Sequence, residues 1–346
     1  MPRPLLLLAA VPAILFIIYS VVPASLKESY AWMDPISLNT PASNGRPRRW
    51  FNMGYWNETG AAWADDFSKA NENLAWKLRE FANVDARGAV LDIAHGTGES
   101  LLVHLTWATS PARLDALTSI PSDTTLARAL VRSHKVNESI GIPVEFYTGS
   151  AMPRIGNVDH QSHPLNPMKG FLGQSSGASA HGSYDEEDDG EEYESSPTGQ
   201  TPATKGYDLI YILDAIYHLP PSIKPFLSAA YQGLAPGGAI AYTDILPPVK
   251  GLNPIIARIV SFFIGVPLPN LTHRPGGLQA YKAELESLGY DDVKVEDWGE
   301  HVWLGFATNL QRRGGFWARV GKRAKWAYEE AGWRFLAVRA RRPDKT

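Results

Sequence analysis

The chain contains no cysteine. Disulfides, structural zinc sites built on thiolates and a cysteine nucleophile are therefore excluded. The absence does not fix a compartment, because an oxidising lumen permits disulfides without demanding them. A strong excess of charge is lacking too, with a net value of −3. That small figure hides an uneven distribution. Eight acids, Asp185, Glu186, Glu187, Asp188, Asp189, Glu191, Glu192 and Glu194, stand in one run, and without those eight the remaining −3 becomes +5. Mild basicity suits an anionic ligand or an anionic membrane surface and is too weak to argue for nucleic acid. Neither a nucleic-acid partner nor a bound metal is expected. What is present is a chain of 346 residues that is 44% hydrophobic, enough for one large domain or two small ones with a real core.

The first stretch of the chain is short of charge altogether. No charged residue lies between Pro4 and Leu26, and residues 5–22 are almost wholly apolar. A helix of about 20 such residues crosses a bilayer, and membrane helices tolerate a proline such as Pro12. Residues 1–26 are accordingly expected to form a single transmembrane anchor, followed by a linker over 27–45. A cleaved signal peptide is the competing reading, with Arg3 as its basic start and Val22-Pro23-Ala24 as its cleavage site, although the apolar run is long for one. Arg3 on one side and Lys27, Arg46, Arg48 and Arg49 on the other do not fix an orientation. Matches to the glycosylation acceptor pattern at Asn57, Asn137 and Asn270 arise readily by accident in a chain of this length.

Residues 46–342 read as one domain of alternating strands and helices. Helical spacing runs over 65–81; short segments at 89–93, 113–117, 207–213 and 239–245 read as strands, and the alternation over 144–148 reads as another. Helices are expected from Glu99, over 122–134, up to Tyr231 and over 281–288. Two late strands, at 293–297 and 335–340, lack a full crossover between them, which predicts an altered, antiparallel sheet edge. The expected fold is α/β, a Rossmann-like parallel sheet covered by helices on both faces, with ligands at the carboxyl ends of the strands. Residues 153–205 are rich in Gly, Ser, Pro and acid and poor in aliphatics, so they read as a disordered acidic insertion that adds no core. Residues 255–266 are strongly apolar yet too short and too charged at Arg258 to span a bilayer, which leaves a core helix, a substrate cap or an interfacial helix. Residues 311–333 interleave basic residues with aromatics, as either an interfacial helix or an ordinary amphipathic surface helix would.

The chemistry is concentrated in Val90-Leu91-Asp92-Ile93-Ala94-His95-Gly96-Thr97-Gly98-Glu99-Ser100. A strand ends in an acid and runs through small residues into a helix. Gly96 and Gly98 let backbone amides approach a ligand, and the amides with the helix start favour an anionic group. A dinucleotide fingerprint would need a third glycine where Ser100 stands, which makes a nicotinamide oxidoreductase the weaker reading. The spacing instead resembles the first motif of class I S-adenosylmethionine-dependent methyltransferases, with Ala94 in place of the usual first glycine. Three later segments resemble that family in the same order: 207–219, the Pro236-Gly237-Gly238 turn with its following strand, and 285–298. Phe51-Asn52-Met53-Gly54-Tyr55-Trp56 is similar to an N-terminal cap motif of its small-molecule members.

The resemblance implies S-adenosyl-L-methionine as cofactor, held on a floor of Asp92, Ala94, Gly96 and Gly98, with Tyr55 and Trp56 closing over it and Asp214 in contact or capping a helix. Thr118 stands near where the family commonly has an acid for the ribose hydroxyls, and Ser150 near where an Asp often faces the adenine amine. Both departures weaken the expected grip and keep open the alternative of a non-catalytic interaction protein on a degenerate methyltransferase scaffold. His218 follows the fourth strand, where it either removes a proton from the acceptor or packs under the cofactor loop; His95 is expected to shape that loop. The implied activity is methyl transfer to a small, apolar or lipid-like acceptor, by a domain on the cytosolic side of a membrane, where this cofactor is made.

Overall fold

The computed structural model describes residues 35–56, 66–138, 140–152, 163–165, 206–272 and 276–344. The expected anchor over 1–26 lies outside them, as does nearly all of the acidic insertion. Among the described residues, no helix is long and apolar enough to cross a membrane.

Order begins with a short helix, α1 (Pro35–Leu38), and the long α2 (Phe67–Ala82). Asp66 starts α2 by accepting the Lys69 amide at 2.9 Å, and Asn83 ends it in the left-handed region at φ 47°, where asparagine is among the few residues that fit. The alternating core follows: β1 (Ala89–Ile93), α3 (Glu99–Leu105), β2 (Arg113–Thr118), α4 (Pro121–Glu138), β3 (Val144–Thr148) and β4 (Tyr207–Ile212). A 3-10 turn at Ile216–His218 leads to α5 (Ile223–Gly233) and β5 (Leu234–Leu246). Then come α6 (Pro254–Ile264), α7 (Leu268–Thr272), α8 (Leu278–Ser287), β6 (Asp291–Asp297), α9 (Gly299–Arg312), α10 (Gly315–Glu329) and β7 (Arg334–Arg341).

The seven strands form one sheet in the order β3-β2-β1-β4-β5-β7-β6. The first five are parallel, and β7 is antiparallel to both of its neighbours. This is a Rossmann-like sheet with the altered antiparallel edge that the late strands predicted. β1 is buried along its whole length because helices cover both faces, which is why it reads as an unbroken apolar run. Leu91 and Ile93 pack with Ile210, Ile212 and Ile240 on one face, while Val90 packs with Leu101, Leu114 and Leu209 on the other. Each such side chain stabilises the fold by roughly 1.5–3 kcal/mol. The order of strands reverses between β1 and β4, and their carboxyl ends open the crevice where sheets of this kind bind ligands.

Two expectations need correction. The basic segment over 311–333 is not one helix. It contains the end of α9, a turn at Arg313–Gly314 and all of α10. The two helices touch closely at Gly321, where a Cβ would stand 2.5 Å from the Ala307 carbonyl oxygen, so much of the apolar side of α10 packs against protein. Trp317 and Val320 pack beside a cluster of Trp56, Phe67 and Leu310, leaving Phe316 and Trp326 as the exposed large apolar side chains of α10. The second correction lies inside the insertion. His163 and Leu165 are buried, and Leu165 belongs to the main core with Leu117 and Ile216.

Candidate active site

The site is built from four loops at the carboxyl edge of β1 to β4. The loop after β1 turns sharply. Ala94 has φ 60°, Gly96 φ 54° and Gly98 φ 95°. The Ala94 amide donates to the Leu117 carbonyl at 2.7 Å, tying the loop to β2. A Cβ added at Gly98 would lie 2.8 Å from Ala127 of α4, whereas one added at Gly96 would meet nothing within 4 Å. Gly98 is thus required by packing, and Gly96 leaves open space in front of its backbone. That space is what a cofactor lying on the loop needs.

Asp92 sits beneath the loop, fully buried, and accepts the Ser100 hydroxyl at 2.7 Å. Its same oxygen lies 3.6 Å from His104 Nε2. Its other oxygen makes no hydrogen bond among the described residues. Asp92 therefore braces the start of α3 from inside. His95 is buried edge-on to Phe146, at 6.2 Å between ring centroids. Burial pushes its pKa down, against the opposing pull of Asp92. A buried neutral ring under the loop fits the expected shaping role.

The β2 and β3 loops carry the two departures. Thr118 is buried, and its hydroxyl accepts the Ile120 amide at 3.4 Å. Ser150 accepts the Met152 amide through its hydroxyl at 3.2 Å. Its carbonyl is held at 2.7 Å by His163 Nε2. The Leu165 amide donates to His163 Nδ1 at 3.1 Å, so the Nε2 nitrogen carries the hydrogen and donates to Ser150. His163 is a clamp on the third-strand loop that sequence reasoning missed. It stands in a stretch whose composition reads as disordered, and only the core aliphatic Leu165 beside it offered a signal.

The β4 loop carries the acid and base candidates. Asp214 has φ 53° and is buried. Its carboxylate accepts the Met53 amide at 2.7 Å and the Tyr217 hydroxyl at 2.8 Å, and its own amide donates to Thr243 Oγ1 at 2.7 Å. Burial raises its pKa to about 6, against the Tyr217 and Met53 hydrogen bonds that lower it. His218 Nδ1 lies 3.2 Å from the Gly265 carbonyl oxygen. A carbonyl only accepts, so Nδ1 carries the hydrogen and Nε2 is the basic nitrogen of the neutral ring. Burial lowers the pKa of His218, which favours that neutral form, although the Gly265 contact raises it.

The cap motif folds across this edge. Arg46 makes a two-pronged ion pair to Glu99, at 2.7 and 3.1 Å, and the Arg49 amide adds a bond to the same carboxylate at 3.2 Å. Glu99 and Asp214 thus hold the 46–53 segment over the glycine loop and the β4 loop. Tyr55 stacks on His301 and meets Trp298 edge-on. Trp56 departs from its expected place over the cofactor. It is buried between Phe67, Ala70 and Leu310, with Nε1 donating to the Met53 carbonyl at 2.9 Å, and it fills the space beside Gly305. The structure therefore gathers Asp92, Ala94, Gly96, Gly98, Thr118, Ser150, Asp214 and His218 along one edge and puts Trp56 in the core. No group of three or more metal-ligating side chains occurs among the described residues.

No protein-family profile matches the chain. Erythromycin 3''-O-methyltransferase of Saccharopolyspora erythraea is 24% identical over 267 residues, which is 74% of this chain and 68% of that protein. The fold is similar to that of geranyl diphosphate C-methyltransferase from Streptomyces coelicolor A3(2), solved with Mg2+, geranyl diphosphate and S-adenosyl-L-homocysteine. That likeness has a TM-score of 0.56 at 10% identity and covers 92% of this chain and 100% of the other. It is also similar to the [4+2]-cyclase SpnF, with a TM-score of 0.54 at 13% identity over 92% of this chain and 95% of that one. The glycine loop, the sheet order and the sequence relative point the same way: the chain is similar to class I S-adenosylmethionine-dependent methyltransferases in sequence and in fold.

Proposed function

We propose that the protein methylates a hydroxyl on a small, largely apolar acceptor, with His218 as the general base. The observation that carries this reading is the hydrogen bond from His218 Nδ1 to Gly265, which sets the tautomer and turns the ring's basicity onto Nε2. A neutral amine needs no base to be methylated, whereas a hydroxyl oxygen becomes a strong nucleophile only as its proton leaves. The sequence relative is named as an O-methyltransferase, in keeping with an oxygen acceptor.

Bound S-adenosylmethionine supplies a methyl group on a positively charged sulfur that leaves as a neutral thioether. Gly96 and the amides of its loop would lie under the cofactor, Thr118 and Ser150 would flank it, and the 46–53 segment would cover it. The chain's own work is then to align the acceptor, exclude water and take up one proton at His218 Nε2. Thr118 and Ser150 offer hydroxyls in place of carboxylates, so the grip on the cofactor is looser than a charge-assisted one. The apolar run over 5–22 supports a single-pass membrane location for the protein, with this domain on the cytosolic side.

Cofactor binding and methyl transfer must be measured separately, because the SpnF fold relative is a cyclase and a fold does not fix its chemistry. Calorimetric titration should show S-adenosylmethionine binding, and Gly96→Ala should weaken it at least tenfold while leaving a folded protein, since its Cβ enters open space. His218→Gln should leave the cofactor affinity within about twofold and lower turnover of labelled methyl by roughly 10²–10⁴ on hydroxyl acceptors. Absence of binding at millimolar cofactor in folded protein, or full activity of the His218 variant, would overturn this assignment.

A further inference from the structure

Exposed large hydrophobic side chains gather on the outer face of α6 and the loop before it. Val249 is 69% exposed, Ile255 67%, and Ile256 and Ile259 50% each. These are four of the eight exposed large hydrophobic side chains among the described residues, gathered within eleven positions. The helix is well formed, with Asn253 capping its start by accepting the Ile255 amide at 2.9 Å and Pro254 in its first turn. Ala257 is buried and Val260 partly so. The isoleucines therefore belong to a face that the fold leaves without a partner, since 255, 256 and 259 share one side at helical spacing.

The segment that carries this face has charge of one sign. Between Asp244 and Glu284 there is no acidic residue, and the interval holds Lys250, Arg258, Arg274 and Lys282. Lys250 and Arg258 are exposed, and Arg274 lies outside the described residues. The loop before α6 also abuts the turn that ends α10. A Cβ at Gly332 would stand 4.0 Å from the Pro248 Cβ. On α10, Lys322, Arg323, Lys325 and Trp326 are exposed, as are Glu329 and Glu330 at its end, with Glu329 3.6 Å from Lys325 Nζ.

We propose that this face docks the domain onto an anionic lipid surface, with the isoleucines of α6 entering the acyl boundary and Lys250 and Arg258 meeting the headgroups. Exposed aliphatic side chains on a helix whose own segment carries cations and no acid are what an interfacial helix needs. An anionic lipid surface supplies an apolar interior beside negative headgroups, which matches the isoleucines with Lys250 and Arg258. The docked helix also reaches the active site, because the Gly265 carbonyl that follows it holds His218. An apolar acceptor leaving the bilayer would thus arrive beside that base. The docking itself rests on the exposed surface and not on the methyl-transfer reading.

The absence of cysteine makes the test direct. The full chain is reconstituted into phosphatidylcholine vesicles with and without phosphatidylserine, carrying one cysteine labelled with a polarity-sensitive fluorophore. Ile256→Cys reports on the proposed face, and Glu80→Cys, exposed on α2, reports on a remote one. With phosphatidylserine present, acyl-brominated lipid should quench the Ile256 label several-fold more than the Glu80 label. Adding Lys250→Glu and Arg258→Glu, in a variant that keeps its circular dichroism and cofactor affinity, should bring the two labels level. Equal quenching at both positions, quenching at neither, or a signal unchanged by omission of phosphatidylserine would overturn the proposal. So would an Ile256 response that follows protein concentration without lipid quenching, since that would assign the face to a second copy of the chain.

Discussion

Ala94 holds a left-handed backbone at φ 60° in a loop where the methyltransferases it resembles commonly place glycine. That conformation costs a residue with a Cβ about 1–2 kcal/mol, while glycine costs the unfolded chain roughly 0.5–1 kcal/mol in entropy. Ala94→Gly should therefore stabilise the domain by up to about 1 kcal/mol, read as a higher urea midpoint at unchanged slope. A lower midpoint would show that the methyl is packed well enough to offset the strain. Asp214 makes a pH-dependent prediction. Its folded pKa of about 6 stands above the ordinary 3.8, so the native state binds the extra proton between those values. The corresponding stability is fully present below about pH 4 and is lost as pH rises towards 6, a change on the order of a few kcal/mol. Asp214→Asn should flatten this part of the pH profile, and a slope equal to that of the parent would assign it to another group. Neither role was legible in the sequence in full. Asp214 could be placed at the end of β4, but its Met53 partner is 161 residues away, and no local pattern encodes such a bond.

Elements were legible where both faces of a strand are buried, because burial on two sides writes a continuous apolar run. β1 stands at its expected limits on that account; β3, an edge strand only partly buried, also does, through its alternating pattern. β2, β4 and β7 differ by single residues at their ends, and β5 begins five residues early, at Leu234. α9 was missed, and the reason is local. It begins at Gly299, whose amide donates to Asp297 Oδ1 at 2.8 Å while Trp298 between them provides no cap, so the start signal stands one position away from its usual place. It is held instead by Val302, Trp303 and Ala307 in the core with Trp333 and Phe335. The 46–53 segment is another case in which tertiary partners decide. Its sequence matched a cap motif, but the contact that pins it is Arg46 with Glu99, whose side chain is 6% exposed. Because Glu99 also accepts the Arg49 amide, the pair acts as a clasp over the start of α3. A double-mutant cycle with Arg46→Ala and Glu99→Ala should give a coupling of roughly 1–3 kcal/mol in stability. Each single change should also weaken cofactor binding, as the cover loosens. Additive stability effects would remove the clasp and leave the pair as two independent surface contacts.

At the level of the whole molecule, the parallel sheet, the antiparallel edge and the position of the crevice followed from the alternation of patterns and from connection rules, whereas the order of the strands was read only from the structure. Composition was the weaker guide, because an average over fifty residues cannot show a short ordered stretch. His163 and Leu165 sit in just such a stretch, clamped to Ser150 and packed into the main core. This divides the acidic insertion into two parts with opposite expected effects. Replacing residues 166–204 with a short Gly/Ser linker should leave the clamp intact. By chain statistics, a connection about fourfold shorter has a closure cost lower by roughly 1 kcal/mol, so stability should hold or rise slightly and cofactor affinity should persist. Removing 156–204 also takes away His163 and Leu165. Loss of a fully buried leucine alone costs about 2–5 kcal/mol, and the Ser150 carbonyl would lose its donor. Thermal unfolding and cofactor titration on the two deletions, beside Leu165→Ala in the full chain, decide the matter. If both deletions keep the parent's midpoint, the clamp contributes nothing to the fold. If both lose it equally, the acidic run itself packs onto the domain. A loss confined to the longer deletion and reproduced by Leu165→Ala would locate the stabilising contact in three residues of a segment that otherwise reads as solvent-exposed linker.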